Sequence, residues 1–133
     1  MGLNVEAYYI EDIVDGNVDY FNLMASDDME LLKTISIMYE NAVLIDITNT
    51  KYLGGMPCPA HLTLPATYRG NPILAIYGNL AYRGDDGECD WLEENYDILS
   101  VTIPEGVAIV DPSLCSDCPN LKTINYPRSL IKR

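Results

Sequence analysis

The sequence predicts an α+β protein: a short solenoid of short parallel strands, with a helical or irregular back side, preceded by an N-terminal α/β cap. The chain has 133 residues, which is enough for one domain with its own core. Two observations support this fold class. Residues 60–133 carry a repeated pattern of apolar residues and proline, and residues 1–59 carry strand and helix patterns instead.

The repeat is anchored on two similar pairs, Ile103-Pro104 and Tyr126-Pro127. An earlier pair, Leu64-Pro65, is separated from Ile103-Pro104 by a longer stretch of chain, and two insertions in the earlier copy account for the difference. Each pair ends a predicted short strand, because proline cannot donate a hydrogen bond to a strand ladder. Units of this size bury their apolar faces only by stacking, which predicts a solenoid.

The back side of each unit is predicted to be helical or irregular. Asp111 precedes Pro112, and this order is typical of an N-cap followed by the first helical position. We therefore expect a helical turn to open at Asp111.

The pattern resembles the BspA-type leucine-rich repeat over about residues 60–133. One copy and the start of the next are carried by Val101, Ile103, Pro104, Val107, Val110, Leu114, Cys118, Leu121, Ile124, Tyr126 and Pro127. A looser copy is carried by Leu62, Leu64, Pro65, Arg69, Gly70, Asn71, Pro72, Ile73 and Ile76. This chain departs from the family where Leu114-Cys115 and Leu80-Ala81 stand in place of the usual Ala-Phe. The resemblance implies a scaffold for protein contacts rather than an active site.

Residues 1–59 are predicted to cap the open end of the stacked repeats. Asp15-Gly16 between apolar runs favours a hairpin turn, and acidic residues before an apolar stripe of helical spacing favour a helix. The predicted elements are strands at Val5–Tyr9, Ile13–Val14 and Val18–Leu23, a turn at Asp15–Asn17, a helix over 27–41, a strand over Val43–Thr48 and a loop over Tyr52–Pro57.

The predicted helix has one alternative. The pattern of Leu32–Ile37 matches that of Leu121–Tyr126, so residues 27–41 could instead hold a degenerate repeat. The solenoid would then begin near residue 1.

The formal net charge is −12, from 20 acidic and 8 basic residues. Residues 1–60 hold ten acids and two bases, whereas residues 119–133 hold four bases and no acid. Such a balance argues against direct nucleic-acid binding, which needs a basic face, but it suits a protein partner with a basic surface. Solubility alone is the other explanation of the charge.

The chain shows no apolar stretch of the ~20 residues that a membrane span needs and no signal-peptide pattern at its start. We therefore expect a cytoplasmic protein without membrane association, or a surface-exposed one if the sequence is a fragment of a longer secreted protein. Cysteines in a cytoplasmic chain are expected to be free thiols.

Two further groups of residues suggest chemistry. Cys115 and Cys118 form a Cys-x-x-Cys, which serves redox or zinc sites elsewhere, but both fall on core positions of the repeat. Cys58 and Cys89 lack the spacing of a second zinc half-site, and His61 is the single histidine, which we expect to be structural. We expect no cofactor, no metal and no enzymatic activity.

The segment 85–97 is an acidic insertion that is expected to replace the back-side turn of its repeat. It contains seven acids, no base and the single tryptophan of the chain. A calcium loop is one interpretation, although the EF-hand spacing is absent. The others are a solvated loop with Trp91 packed on the core, and a loop that binds a partner through an aromatic anchor ringed by charge.

Together these patterns predict a non-enzymatic module that binds another protein, either through its strand face or through the acidic insertion. The alternative is a small acidic inhibitor, such as a phage or mobile-element antagonist of host defence, which mimics nucleic acid in the basic groove of an enzyme. A homo-oligomer could form through the open C-terminal strand. The predicted contact residues are Asp85, Asp86, Glu88, Asp90, Trp91, Glu93, Glu94, Asp97, Ser100, Thr102, Thr123 and Asn125.

Overall fold

The computed structural model describes residues 3–18, 28–50, 58–85 and 90–131, which form a mixed α/β fold of three layers. Two helices cover one face of a six-stranded back sheet, and a three-stranded front sheet covers the other. Most strand pairs in the two sheets are parallel. Neither described helix has the length and apolar character that crossing a bilayer requires.

The N-terminal segment corrects one prediction. Strand β1 (Leu3–Tyr9) is followed directly by a short helix α1 (Ile10–Val14), so the predicted strand at Ile13–Val14 is wrong. Residues 19–23 of the other predicted hairpin strand lie outside the described residues. Ile10 and Ile13 are one helical turn apart and both are buried, whereas in a strand they would point to opposite faces. Glu11 and Asp12 lie in the first turn, where acidic side chains favour a helix.

The predicted helix over 27–41 is confirmed as α2 (Asp28–Met38), and the degenerate repeat at this position is wrong. Asp28, Leu32 and Ile35 form its buried face, at the spacing of helical turns. The chain leaves the helix through Asn41, whose φ of 58° is left-handed, as is common after a helix C-terminus.

The back sheet has the order β1-β2-β5-β4, where β2 is Val43–Thr50, β5 is Asn71–Asp85 and β4 is Thr67–Tyr68. Two more strands, β6 (Asp90–Glu93) and β8 (Ile109–Val110), also pair with β5. The predicted strand over Val43–Thr48 is confirmed as β2 (Val43–Thr50), which runs antiparallel to β1 and parallel to β5. The predicted loop over Tyr52–Pro57 lies outside the described residues.

The front sheet consists of β3 (His61–Thr63), β7 (Ser100–Thr102) and β9 (Thr123–Asn125), in that order and all parallel. Leu62 pairs with Val101, and Val101 pairs with Ile124. Each of these three residues lies three positions before the proline of its own repeat pair, so the strand register follows the alignment of the proline pairs in the sequence. Short parallel strands are therefore confirmed, and their interpretation as leucine-rich repeats stays a prediction.

The main core lies between the two sheets, where Ile45, Ile76 and Val110 of the back sheet face Val101 of the front sheet. A second core lies between the back sheet and the helices. Leu74 is an extra residue in the pairing of β5 with β2, because Val43 pairs with Ile73 and Leu44 with Ala75. This bulge brings Leu74 and Ala75 to the helical side together.

Candidate functional site

The exposed face of the front sheet is the candidate site, and we call it the strand face. Its apolar residues point inward to the core, so the residues on either side of them point outward. The strand register places these outward residues in two rows. The first row is His61, Ser100 and Thr123, and the second is Thr63, Thr102 and Asn125.

Hydrogen bonds join neighbours within both rows. The His61 Nδ1 and Ser100 Oγ atoms are 2.7 Å apart, and the Asn125 amide donates to Thr102 Oγ1 at 3.2 Å. The strand face carries hydroxyl, amide and imidazole groups, and none of its six residues is acidic. This neutral polar surface belongs to a chain whose formal net charge is −12.

Four of the predicted contact residues, Ser100, Thr102, Thr123 and Asn125, are brought together on the strand face. His61 and Thr63 complete it but were absent from the sequence prediction. The alignment of Leu62 with Val101 contained the signal, because it makes the residues that flank Leu62 equivalent to Ser100 and Thr102.

The acidic insertion lies apart from the strand face and is not the loop that the sequence predicted. Strand β5 continues to Asp85, and β6 returns antiparallel to it, with Arg83 opposite Leu92 and Gly84 opposite Trp91. We call this hairpin the acidic arm. A loop in place of a back-side turn is therefore wrong for residues 90–93, which belong to the back sheet.

The predicted acidic contacts separate into three groups. Asp86 and Glu88 lie outside the described residues. The Trp91 side chain is not described either, so its predicted packing on the core stays a prediction. Asp85 and Asp90 pair at the end of the acidic arm, and Glu93 and Glu94 are exposed. Asp97 has a structural role, which its contact with Tyr82 defines.

The Tyr82 hydroxyl links three segments of the chain. It donates a hydrogen bond to Asp97 and accepts one from the Cys58 backbone N–H at 3.0 Å. Burial and the hydrogen bond to Asp97 together raise the pKa of Tyr82 above its ordinary value. Asp97 therefore links β5 to the segment that leads into the front sheet, although the residue itself is exposed.

Asn95 is a second structural residue that the sequence prediction missed. Its side chain is fully buried, and its amide donates to the Leu80 carbonyl at 2.9 Å while its carbonyl accepts from the Asp97 N–H at 3.0 Å. Asn95 stands three residues before Ile98, as Cys118 stands three residues before Leu121. This equivalence could have identified it as a buried position.

Cys58, Cys115 and Cys118 are not disulfide-bonded, as predicted, and Cys89 lies outside the described residues. Burial raises the pKa of Cys115 to about 11, and burial with the neighbouring thiols raises the pKa of Cys118 to about 12. Thiols in this state are poor nucleophiles and poor metal ligands at neutral pH. Across the described ranges, no three His, Cys, Asp or Glu side chains are arranged to hold a metal ion.

One polar cleft of about 370 Å³ lies on the back sheet, with Asp46, Asn79, Arg83 and Asp111 among its lining residues. Asp111 is engaged in local structure there. Its carboxylate accepts hydrogen bonds from the N–H of Gly78 and from both the N–H and the hydroxyl of Ser113. Asp111 thus caps the turn that follows β8, as the sequence predicted.

Comparisons of this chain with protein-family models, with curated proteins and with solved structures found no match. The fold and the site therefore define the class of protein by themselves. It is a mixed α/β protein that presents an uncharged, regularly spaced polar surface on three parallel strands.

Proposed function

We propose that this chain is a non-enzymatic protein-binding module of leucine-rich-repeat type, and that it binds its partner through the strand face. The observation that carries this proposal is the in-register pairing of β3, β7 and β9 at the offsets of the sequence repeat. A surface built by repetition is regular and extended, and it suits contact with a large partner better than enclosure of a small substrate.

The chemistry of the strand face also supports protein binding. Hydroxyl and amide groups cost less to remove from water than carboxylates, so a neutral face can be buried in an interface with a smaller penalty. In a chain with this acidic excess, the six neutral positions are where a partner meets the least like-charge repulsion. Affinity at such a face should change little with ionic strength.

The test is a pull-down from lysate of the source cell, with elution by a salt gradient and identification by mass spectrometry. Thr102→Arg combined with Thr123→Arg places two long charged side chains on the strand face. Loss of the captured protein with this double variant is the expected result. Retention of that protein at high salt by the unmodified chain would agree with a neutral interface.

The control is Thr34→Arg, the same substitution at an exposed position of α2, where the threonine hydroxyl bonds only its own helix. If the double variant and the control retain the partner equally, binding does not use the strand face.

A second candidate function is the acidic inhibitor, and the acidic arm is the observation that favours it. The arm brings Asp90 and Glu93 onto one strand, with Glu94 directly after it and exposed. Triple substitution of these residues to Lys should then abolish binding of a nucleic-acid enzyme, and the unmodified complex should dissociate at moderate salt. Unchanged affinity of the triple variant would exclude this candidate.

A further inference from the structure

The core under the two helices ends partway along the parallel strands of the back sheet. Leu44, Tyr77 and Ile109 are its last members on β2, β5 and β8. Farther along, the same face of the sheet changes from apolar to polar side chains, with Asp46 on β2 and Asn79 on β5. The polar cleft of about 370 Å³ begins at this change. It therefore lies toward the carboxyl ends of these strands, where open α/β sheets place their ligands.

One end of the polar cleft is acidic. Asp46 and Asp111 both line it, and Gly78 joins them, because it pairs with Ile47 and donates its N–H to the Asp111 carboxylate. Asp111 also accepts two hydrogen bonds from Ser113. These bonds fix the Asp111 carboxylate in place and leave it able to accept more, since an ionised carboxyl group has about four acceptor sites.

The other end of the polar cleft carries Arg83. Arg83 pairs with Thr50, which is four residues beyond Asp46 on β2, and this spacing corresponds to about 13 Å along the strand. Thr48 and Asn79 pair with each other and supply a hydroxyl and an amide between the two ends. The polar cleft thus has an acidic end, a neutral polar middle and a basic end.

A ligand that fits this order carries an ammonium group at one end and a carboxylate at the other. Ammonium groups form charge-assisted hydrogen bonds with carboxylates, and a guanidinium binds a carboxylate through two parallel bonds. An extended dipeptide spans about 7 Å, and hydrogen bonds of about 2.8 Å at its two ends extend this to the separation of the ends of the cleft. The acidic excess of the chain does not repel such a ligand, because the ligand has no net charge.

We propose that the polar cleft binds a short peptide with free termini, with the peptide's amino group at Asp46 and Asp111 and its carboxylate at Arg83. The volume of the cleft is within the range of small-molecule sites. The cleft lies on the helical side of the back sheet, and the strand face lies on the outer side of the front sheet. The inference therefore does not rest on the proposed protein-binding function.

The test is a titration of the isotope-labelled chain with glycylglycine, followed through amide chemical shifts in NMR spectra. The amide signals of Gly78, Asn79 and Ser113 should shift, with a Kd below about 1 mM. N-acetylglycylglycine lacks the ammonium group, and glycylglycinamide lacks the carboxylate. Each capped ligand should bind about tenfold more weakly than glycylglycine, because it loses the charge-assisted bonds at one end.

Two variants assign each charged group of the ligand to its end of the cleft. Asp46→Asn should weaken binding of glycylglycine about tenfold and leave binding of N-acetylglycylglycine unchanged, since that ligand has no ammonium group. Arg83→Gln should weaken glycylglycine to a similar degree and leave glycylglycinamide unchanged. Asp15→Asn and Arg128→Gln remove exposed charges elsewhere in the chain, and as matched controls they should bind glycylglycine as the unmodified chain does.

The dispersion of the amide signals establishes that each variant is folded. Comparison of the three ligands on the unmodified chain needs no substitution, so it tests the proposal even where a variant unfolds. Unchanged amide signals at the cleft with about 10 mM glycylglycine would overturn the proposal. Equal binding of the three ligands would also overturn it, as would variants that weaken all three ligands to the same degree.

Discussion

The back and front sheets each contain three parallel strands, but they differ in how many faces are buried. The central strand β2 buries Ile45 and Ile47 against the front sheet and Leu44 against the helices. The front sheet buries one face, through Leu62 and Val101, and leaves the strand face in water. In a strand with two buried faces, a substitution on either face disturbs a packed core. In the front sheet, substitutions on the exposed strand face do not.

The two sheets also differ in regularity. The pairing of β2 with β5 is interrupted twice, between Val43 and Leu44 and again between Thr48 and Asn49. The front strands pair without interruption. We infer that strand pairing in the back sheet depends on local backbone geometry. In the front sheet, the repeated sequence pattern is sufficient to set the pairing.

The largest expected effect is at Gly78, in the back sheet. Its φ is 110°, and an added Cβ would lie 2.2 Å from the Ile47 carbonyl oxygen of the neighbouring strand. Gly78→Ala should therefore lower the free energy of unfolding by about 3 kcal/mol or more, from backbone strain and the steric clash together. Urea denaturation followed by circular dichroism measures this change.

Gly106→Ala is the matched control, because Gly106 also has a positive φ, of 103°, but nothing lies within 4 Å of an added Cβ. Gly106→Ala should lower the free energy of unfolding only through backbone strain, by about 1 kcal/mol. Equal costs at the two glycines would mean that the close approach of β5 to β2 is not important for stability.

Asn95, between the sheets, should have the next largest effect. Asn95→Ala removes the hydrogen bonds that the buried Asn95 side chain makes to the Leu80 carbonyl and to the Asp97 N–H, and it should cost about 2–3 kcal/mol in the same assay. Asn120→Ala is the comparison, because that exposed side chain donates to the Tyr96 carbonyl in water and should cost about 0.5 kcal/mol or less. A cost for Asn95→Ala below that of Asn120→Ala would contradict this account.

A smaller effect is expected at Tyr82. Tyr82→Phe removes the hydroxyl that bonds Asp97 and Cys58 and should cost about 1–2 kcal/mol, whereas Tyr96→Phe, at a solvent-exposed tyrosine that bonds Glu94, should cause no measurable change. The folded-state pKa of Tyr82 is raised by burial and by Asp97. Its stabilising contribution is therefore complete below about pH 10 and is lost as the pH rises through the folded-state pKa.

Denaturation curves at pH 8 and pH 11 test the pH dependence. The difference in stability between the unmodified chain and Tyr82→Phe should narrow at the higher pH. A constant difference would show that the hydroxyl does not ionise in that range or does not stabilise the fold.

The smallest effect is expected on the strand face. Thr63→Ala and Thr123→Ala should each change the free energy of unfolding by less than about 0.5 kcal/mol, because both side chains are exposed. Thermal melts suffice for this comparison. A loss above about 1 kcal/mol would mean that the two sheets are equally constrained and that the contrast between them is wrong.

The sequence predicted the elements that repeat or that have a long amphipathic pattern. The spacing of the proline pairs locates β7 and β9 and aligns them with β3, and α2 follows from its apolar stripe. Helix α1 was missed because its single short turn gives too small a window for helical spacing to outweigh the nearby Asp-Gly turn signal. The acidic arm was predicted as a loop because its run of acidic residues shows no strand pattern in the sequence. Its strand β6 forms by pairing with β5.

The candidate site was predicted in part for a related reason. Repetition identifies outward positions, so Ser100, Thr102, Thr123 and Asn125 could be chosen from the sequence. The role of Asp97 could not be predicted from the sequence. Its partner, Tyr82, is distant along the chain and lies close to it only because the acidic arm folds back. Composition marks Asp97 as one more acid in an acidic run, and only the fold distinguishes it from Glu94.

The unequal offsets of the front strands have a consequence for the order of folding. Pairing β7 with β9 closes a shorter loop than pairing β3 with β7 does, and the longer loop carries an additional entropic cost of about 0.5 kcal/mol. The C-terminal pair should therefore form first and provide the template on which β3 is added. In hydrogen-exchange pulse labelling during refolding, the amides that join β7 and β9 should gain protection before those that join β3 and β7.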